Sequence, residues 1–372
     1  MNIFRRLPLS RLLLLCGLIV ALGISATALA SALGTGPTPP PKPLADAIHD
    51  ALAGAAGQPV QGVSANIQLT DHLLEGANLT SGGDSAAGQL TSSPLVTGAS
   101  GRMWIAKDGR VRLELQSEKG DTQVLYDGRT VSIYDAASNT LYRYTVPAHE
   151  DGSGPVTTTA PHEAPSVAKI EEAISRLDHV NVSGATPTDI AGQAAYTVHV
   201  SPKESGSLIG GGELSWDAAN GVPLRAAIYS STSSSPAIEL AATSISYGPV
   251  AAPVFEFTPP SNAKVEEIVL PKKDGSSADS STHSGEHPHV TTSGQGITSV
   301  AVVEAKTKEG ANAKQSSPST EEGLQKVKIN GIEASELPTE LGTLLSFERS
   351  GVRYVLAGSV TPAAIEALAR GL

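Results

Sequence analysis

LYDGRTVSIYD, residues 125–135, sets the architecture of the chain. Val124 and Tyr126 lead into Asp127-Gly128, a pair suited to a two-residue hairpin turn. Val131 and Ile133 then resume the same alternation, apolar against polar, with a period of two. A helix would need apolar residues three and four apart, so this stretch is two strands and a turn.

The pattern extends in both directions. Upstream, Met103 and Ile105 flank Trp104, and Val111, Leu113 and Leu115 alternate with Arg110, Arg112, Glu114 and Gln116. Downstream, residues 136–139 form a second turn, after which Tyr142, Tyr144 and Val146 lie opposite Leu141 and Arg143. Together these are consecutive strands of an antiparallel meander with one apolar face. Further strands are expected over 63–69, 194–200, 212–216, 222–230, 238–247 and 254–258. Helical spacing occurs twice, at Leu44 to Ala56 and at Val167, Ile170, Ile174 and Leu177, the second about four turns long. The fold class is therefore α+β, built on a large antiparallel sheet.

FEFTPPSNAKV, residues 255–265, reads as the end of that sheet. Phe255 and Phe257 would share a face of the last strand, and Pro259-Pro260 would stop the edge from pairing further.

Residues 1–33 read as a signal peptide or an N-terminal membrane anchor. Arg5, Arg6 and Arg11 precede an uncharged run from Leu12 to Leu33, long enough to span a bilayer, and Ala28-Leu29-Ala30 resembles a cleavage site. Both alternatives place the rest of the chain outside the cytoplasm, either secreted or held at the cytoplasmic membrane by that segment. Cys16 is the one cysteine, so the exported part can form no disulfide; Leu15 before it does not fit a lipidation site. Residues 34–43 are a stiff Pro-rich spacer, 44–270 the sheet domain, 271–322 a low-complexity and mostly disordered linker, and 323–372 a C-terminal ββα-like segment. In that segment residues 344–348 and 352–356 flank Ser350-Gly351, and Thr361 caps a helix that begins at Pro362.

The net charge of −11 excludes a nucleic-acid partner, which needs a basic face. With 37 Gly and 25 Pro among 372 residues, many turns are expected. His283, His287 and His289 fall in the low-complexity stretch and read as solvated linker, so no metal is assigned. Gly210-Gly211-Gly212 lacks the Lys-Ser/Thr of a phosphate loop. No nucleophile–base–acid set or Gly-x-Ser-x-Gly elbow is found, so neither an enzyme activity nor a cofactor is expected.

One greasy face of so large a sheet must be buried against something. Two short helices cannot cover it if it curves, which leaves either an open apolar cavity or a well-filled core. Gly101 to Lys107 (GRMWIAK), residues 125–135 and FEFTPPSNAKV, in that order across residues 44 to 268, resemble the LolA family of lipoprotein carriers, of an actinobacterial type, and the related RseB/MucB sensors.

The resemblance implies a curved half-barrel of about eleven strands, with helices as a lid over an apolar cavity for the acyl chains of a lipid or lipoprotein. It implies an exported acyl-chain carrier. A stress sensor acting on a membrane anti-sigma factor, a transporter partner, and a structural envelope protein with a filled core are the alternatives. The cavity lining would be Met103, Ile105, Val111, Leu113, Leu115, Val124, Tyr126, Val131, Ile133, Tyr142 and Tyr144. Ile170, Ile174 and Leu177 would form the lid. Lys107 occupies the place of the family's lid-latching arginine; it keeps the charge but loses the planar fork of donors.

Overall fold

The computed structural model describes residues 36–57, 59–75, 77, 94–118, 120–146, 164–268, 289–306 and 323–372. Residues 1–33, expected to act as a signal peptide or anchor, and His283 and His287 lie outside the described residues. Among the described residues no helix is long and apolar enough to cross a membrane.

Helix α1 (Leu44–Gly57) precedes β1 (Gly62–Asp71), and a one-turn helix α2 (Pro94–Thr97) precedes β2 (Ala99–Ala106). The meander follows as β3 (Val111–Ser117), β4 (Gly120–Tyr126), β5 (Thr130–Asp135) and β6 (Thr140–Thr145). Gly128, with φ of 97°, makes the β4–β5 turn that Asp127-Gly128 predicts. Helix α3 (Val167–Ser175) is shorter than expected and ends before Leu177. Then come β7 (Val180–Val182), β8 (Thr186–Ile190), β9 (Gln193–Pro202), β10 (Ile209–Asp217), β11 (Pro223–Ser230), β12 (Pro236–Tyr247) and β13 (Lys264–Glu267).

All thirteen strands belong to one large curved sheet, ordered β13-β6-β5-β4-β3-β2-β1-β12-β11-β10-β9-β7, with β8 also paired to β9. Its ends do not meet, so it is not a closed barrel. The count exceeds the expected eleven because of short strands that periodicity does not mark. β7 has three residues, β8 reads TPTDI with a proline inside, and β13 has four residues.

The expected strand over 254–258 is not a strand. Ala252–Phe255 is a turn of 3₁₀ helix with a proline in its first positions. Pro253 removes the ladder donor a strand would need there. The segment instead crosses the sheet, where the Arg112 guanidinium donates to the carbonyls of Val254 (2.8 Å) and Glu256 (3.2 Å). Phe255 and Phe257 therefore part company. The Arg110 guanidinium sits 4.8 Å from the Phe255 ring, and Phe257 packs on Tyr134 with ring centroids 5.3 Å apart. Nor do the prolines end the sheet, since β13 follows them and pairs with β6 in parallel.

A second sheet of six strands is ordered β14-β15-β19-β18-β17-β16. It comprises β14 (His289–Ser293), β15 (Val300–Lys306), β16 (Gln325–Ile329), β17 (Ile332–Thr339), β18 (Gly342–Arg349) and β19 (Val352–Gly358), with helix α4 (Pro362–Arg370) against it. β14 and β15 fall inside the stretch expected as linker, and β15 uses its one apolar run. The tail is accordingly larger than a ββα unit. Val302, Leu345, Phe347, Leu356, Ile365 and Ala369 form its core, and the Thr361 hydroxyl accepts from the Ala364 amide at the start of α4. The second sheet docks on the first through backbone bonds from Leu208 N–H to Ser359 O (2.7 Å) and from Glu340 N–H to Leu73 O (2.9 Å).

Candidate functional site

Strand register decides which side chains share a face. Ile105, Val111, Tyr126, Val131 and Tyr144 are directly opposed in turn across β2 to β6, and Met103, Leu113, Val124, Ile133 and Tyr142 form the next row. Leu115 stands one row further along, opposite Gly101 and Thr122. All eleven residues proposed for a cavity lining thus lie on one face. Leu115 is 1% exposed, and the other ten are half-buried.

Gly101 lets these strands come together, because a Cβ there would lie 1.9 Å from the Glu114 carbonyl oxygen. Across β1 the same face carries Val63, Ala65 and Ile67, which pack with Ala99 and Leu115 as a buried cluster. Beyond β1 it continues through Leu69, Leu240, Ala226, Leu214 and Val198, each opposed to the next.

Helix α1 covers only the far end of this face. Ala47 and Ala51 pack on Tyr196 and Trp216, whose rings are 6.2 Å apart. Next to that covered patch the sheet opens, leaving Leu214 42% exposed and Ile228 41% exposed. Large apolar side chains left accessible on the inward-packing face of a sheet are the informative exception to burial.

Of the three residues expected to form a lid, Ile170 is buried, Ile174 is half-buried, and Leu177 lies past the end of α3 with 47% of its surface exposed. α3 packs against α1, and the His49 ring nitrogen lies 2.8 Å from the Pro165 carbonyl oxygen. The two helices thus form one layer. The Pro-rich lead-in is strapped to the sheet beside it, since the hydroxyl of Tyr196 on β9 donates to Pro40 O at 2.6 Å. Beside the strap a groove of 540 Å³ is lined by Lys42, Asp217 and Tyr247, among others. The Tyr247 hydroxyl donates to Asp217 (2.6 Å); burial first, and that bond second, push its phenol above the ordinary value.

Lys107 is exposed in the turn after β2. The residue that holds carbonyls of a crossing segment is Arg112, on the opposite face of the sheet from the apolar rows. Arg112 also reaches Gln123 (3.0 Å) and Glu114 (2.7 Å). Its place at an alternate, outward position was legible in the sequence; the segment it clamps was not. Among the described residues no group of three metal-ligating side chains occurs. What this face offers is aliphatic and phenolic surface.

Residues 86–153 match a family described as "Predicted periplasmic protein (DUF2092)". That description agrees with an extracytoplasmic location. No curated protein matches the sequence. Among solved structures, the chain is similar to the Pseudomonas aeruginosa MucA/MucB complex at 15% identity and a TM-score of 0.41, covering 88% of this chain and 96% of that one. It is also similar to an uncharacterized conserved protein from Thermus thermophilus, at 10% identity and a TM-score of 0.35, covering 60% of this chain and 97% of that one. A LolA superfamily protein from Nitrosomonas europaea is a third likeness, at 8% identity and a TM-score of 0.19, with 87% and 97% covered.

Proposed function

We propose that this chain is an exported envelope protein that binds the acyl chains of a lipid or lipoprotein on the inner face of its large sheet. The observation that carries the reading is the run of apolar residues shared by that face from β6 to β9, with Leu214 and Ile228 left accessible beside the helix layer. Each methylene moved from water onto such a surface is worth about 0.8 kcal/mol. An acyl chain leaving a bilayer loses a similar amount there, so transfer is nearly balanced and its direction follows what the acceptor offers.

In this reading α1 and α3 act as the lid, with Ile170 and Ile174 on its underside. Residues 1–33 export the chain or hold it at the membrane, and no enzymatic step is required. The test is to express the full chain in a lipid-containing host, purify it, and identify solvent-extracted lipid by mass spectrometry. Stoichiometric acyl lipid supports a carrier; lipid-free protein supports a filled structural core.

A second reading, a sensor that acts on a membrane anti-sigma factor, is favoured by one observation. The six-stranded sheet is fixed to the first by the Leu208–Ser359 and Glu340–Leu73 bonds, a platform that a simple carrier does not need. Pull-down of such a partner, lost when that sheet is removed, separates the two.

A further inference from the structure

The outer face of the same sheet has a different character. On β1 and β12 it presents Ser64, Asn66, Ser244 and Ser246, and on β2 it presents Arg102 and Trp104. Two grooves run here, of 270 and 370 Å³, and both are lined by Asn66 and Arg102, so they form one trough across four strands. Trp104 is one of only two tryptophans in the chain. The other, Trp216, is 6% exposed under α1, whereas Trp104 borders open space.

We propose that this trough binds a neutral oligosaccharide, with the Trp104 indole as the platform for a sugar ring. The shape has a local cause. Serines at three neighbouring positions, Ser64, Ser244 and Ser246, give the floor small side chains beside the half-buried Trp104. A β-bulge where Asn66 and Ile67 face β12 leaves Thr243 as the extra residue, and Thr243 lines the trough. Bulges re-aim side chains and recur beside binding sites.

The chemistry fits a polyol. An indole face offers a large flat apolar surface with a polar handle at its edge. Amide and hydroxyl groups beside it both donate and accept, as sugar hydroxyls do. Asn66 is already positioned by its bond to Ser244 Oγ (2.8 Å). Arg102 lies over one face of the indole, 5.2 Å from the ring centroid, which leaves the opposite face for a sugar ring; it is also paired with Glu114 at 3.4 Å, and Arg112 is paired with the same carboxylate. Glu114 thus engages both guanidiniums, and Arg112 is further committed to Val254 O, Glu256 O and Gln123, so the site holds no guanidinium dedicated to an anionic ligand.

The test titrates the full chain with chitotetraose and cellotetraose and follows tryptophan emission. Saturable change is expected with at least one of them, carried by Trp104 and retained in Trp216→Phe. Trp104→Ala weakens binding about tenfold or more, and Asn66→Ala weakens it several-fold, with circular dichroism unchanged in both. Neither residue lies on the apolar face, so lipid content is unaffected, and the outcome is independent of the acyl-chain reading. The proposal is overturned if neither sugar gives a saturable change, if Trp104→Ala binds as well as the parent, or if tetragalacturonate binds more tightly than the neutral sugars.

Discussion

Leu214 and Ile228 sit diagonally on neighbouring strands of one sheet face, and each keeps about two fifths of its surface open, at 42% and 41%. On β1, two strands from Ile228 and three from Leu214, the same face is sealed, with Ala65 and Ile67 at 5% and 3%. The face is therefore partly built as core and partly left accessible, and the proposed acyl-chain site uses the accessible part.

Substitution separates these two parts. Leu214→Asp with Ile228→Asp should remove bound lipid while changing stability by no more than about 0.5 kcal/mol per site, as exposed positions do. Leu115→Ala, at a site 1% exposed, should cost about 2–5 kcal/mol through the cavity it leaves. Denaturant unfolding and lipid extraction on the same samples check both.

Glu336 gives the second sheet a pH dependence. It is 2% exposed, opposite Leu345 and Gln325, and its Oε1 is buried without a hydrogen-bond partner among the described residues. Burial, and then the Glu366 carboxylate on α4, which is itself paired with Arg370, raise its pKa above the ordinary 4.5. Below 4.5 both folded and unfolded chains hold the proton. As pH rises past 4.5 the unfolded chain releases it first, so stability falls until the folded value is passed and then levels off. Thermal melts from pH 4 to 8 should show this decline. Glu336→Gln should flatten it and raise the melting temperature at pH 7.

The Arg112 clamp is open to the same kind of test. Arg112→Ala should cost about 3 kcal/mol or more, because bonds to a charged donor are worth about 1.5–3 kcal/mol each and two carbonyls lose one. Hydrogen exchange should quicken over residues 252–257, and Arg112→Lys should restore only part of the protection because it lacks the planar fork.

Tyr196→Phe deletes the hydroxyl that holds Pro40 O but keeps the ring under α1. A loss of about 1 kcal/mol is expected, with cleavage by added protease appearing near residues 36–43 and the rest of the chain unaffected.

Much of this was legible in the sequence, for identifiable reasons. The meander from Met103 to Tyr144 has strict alternation and a turn pair in the middle, and the register places all eleven named residues on one face. The Thr361 cap with Pro362 after it was equally plain. Reading failed where periodicity carries no information. β7 and β13 are too short to show a period, and next to Pro253 the alternation of aromatics with polar residues imitates a strand. β14 is exposed along most of its length and reads as linker, because it is held by backbone pairing to β15. Arg112 gave no sign of its role, since what a strand residue holds depends on a segment more than a hundred positions away.

The two tryptophans stand on opposite faces of the sheet, which makes the central claim directly measurable. Brominated stearate, whose heavy atoms quench nearby indoles, is added to Trp104→Phe and to Trp216→Phe. If acyl chains occupy the inner face, Trp216 emission falls saturably in the first variant and Trp104 emission in the second stays unchanged. Quenching of Trp104 alone, or of neither, would contradict an inner-face lipid site.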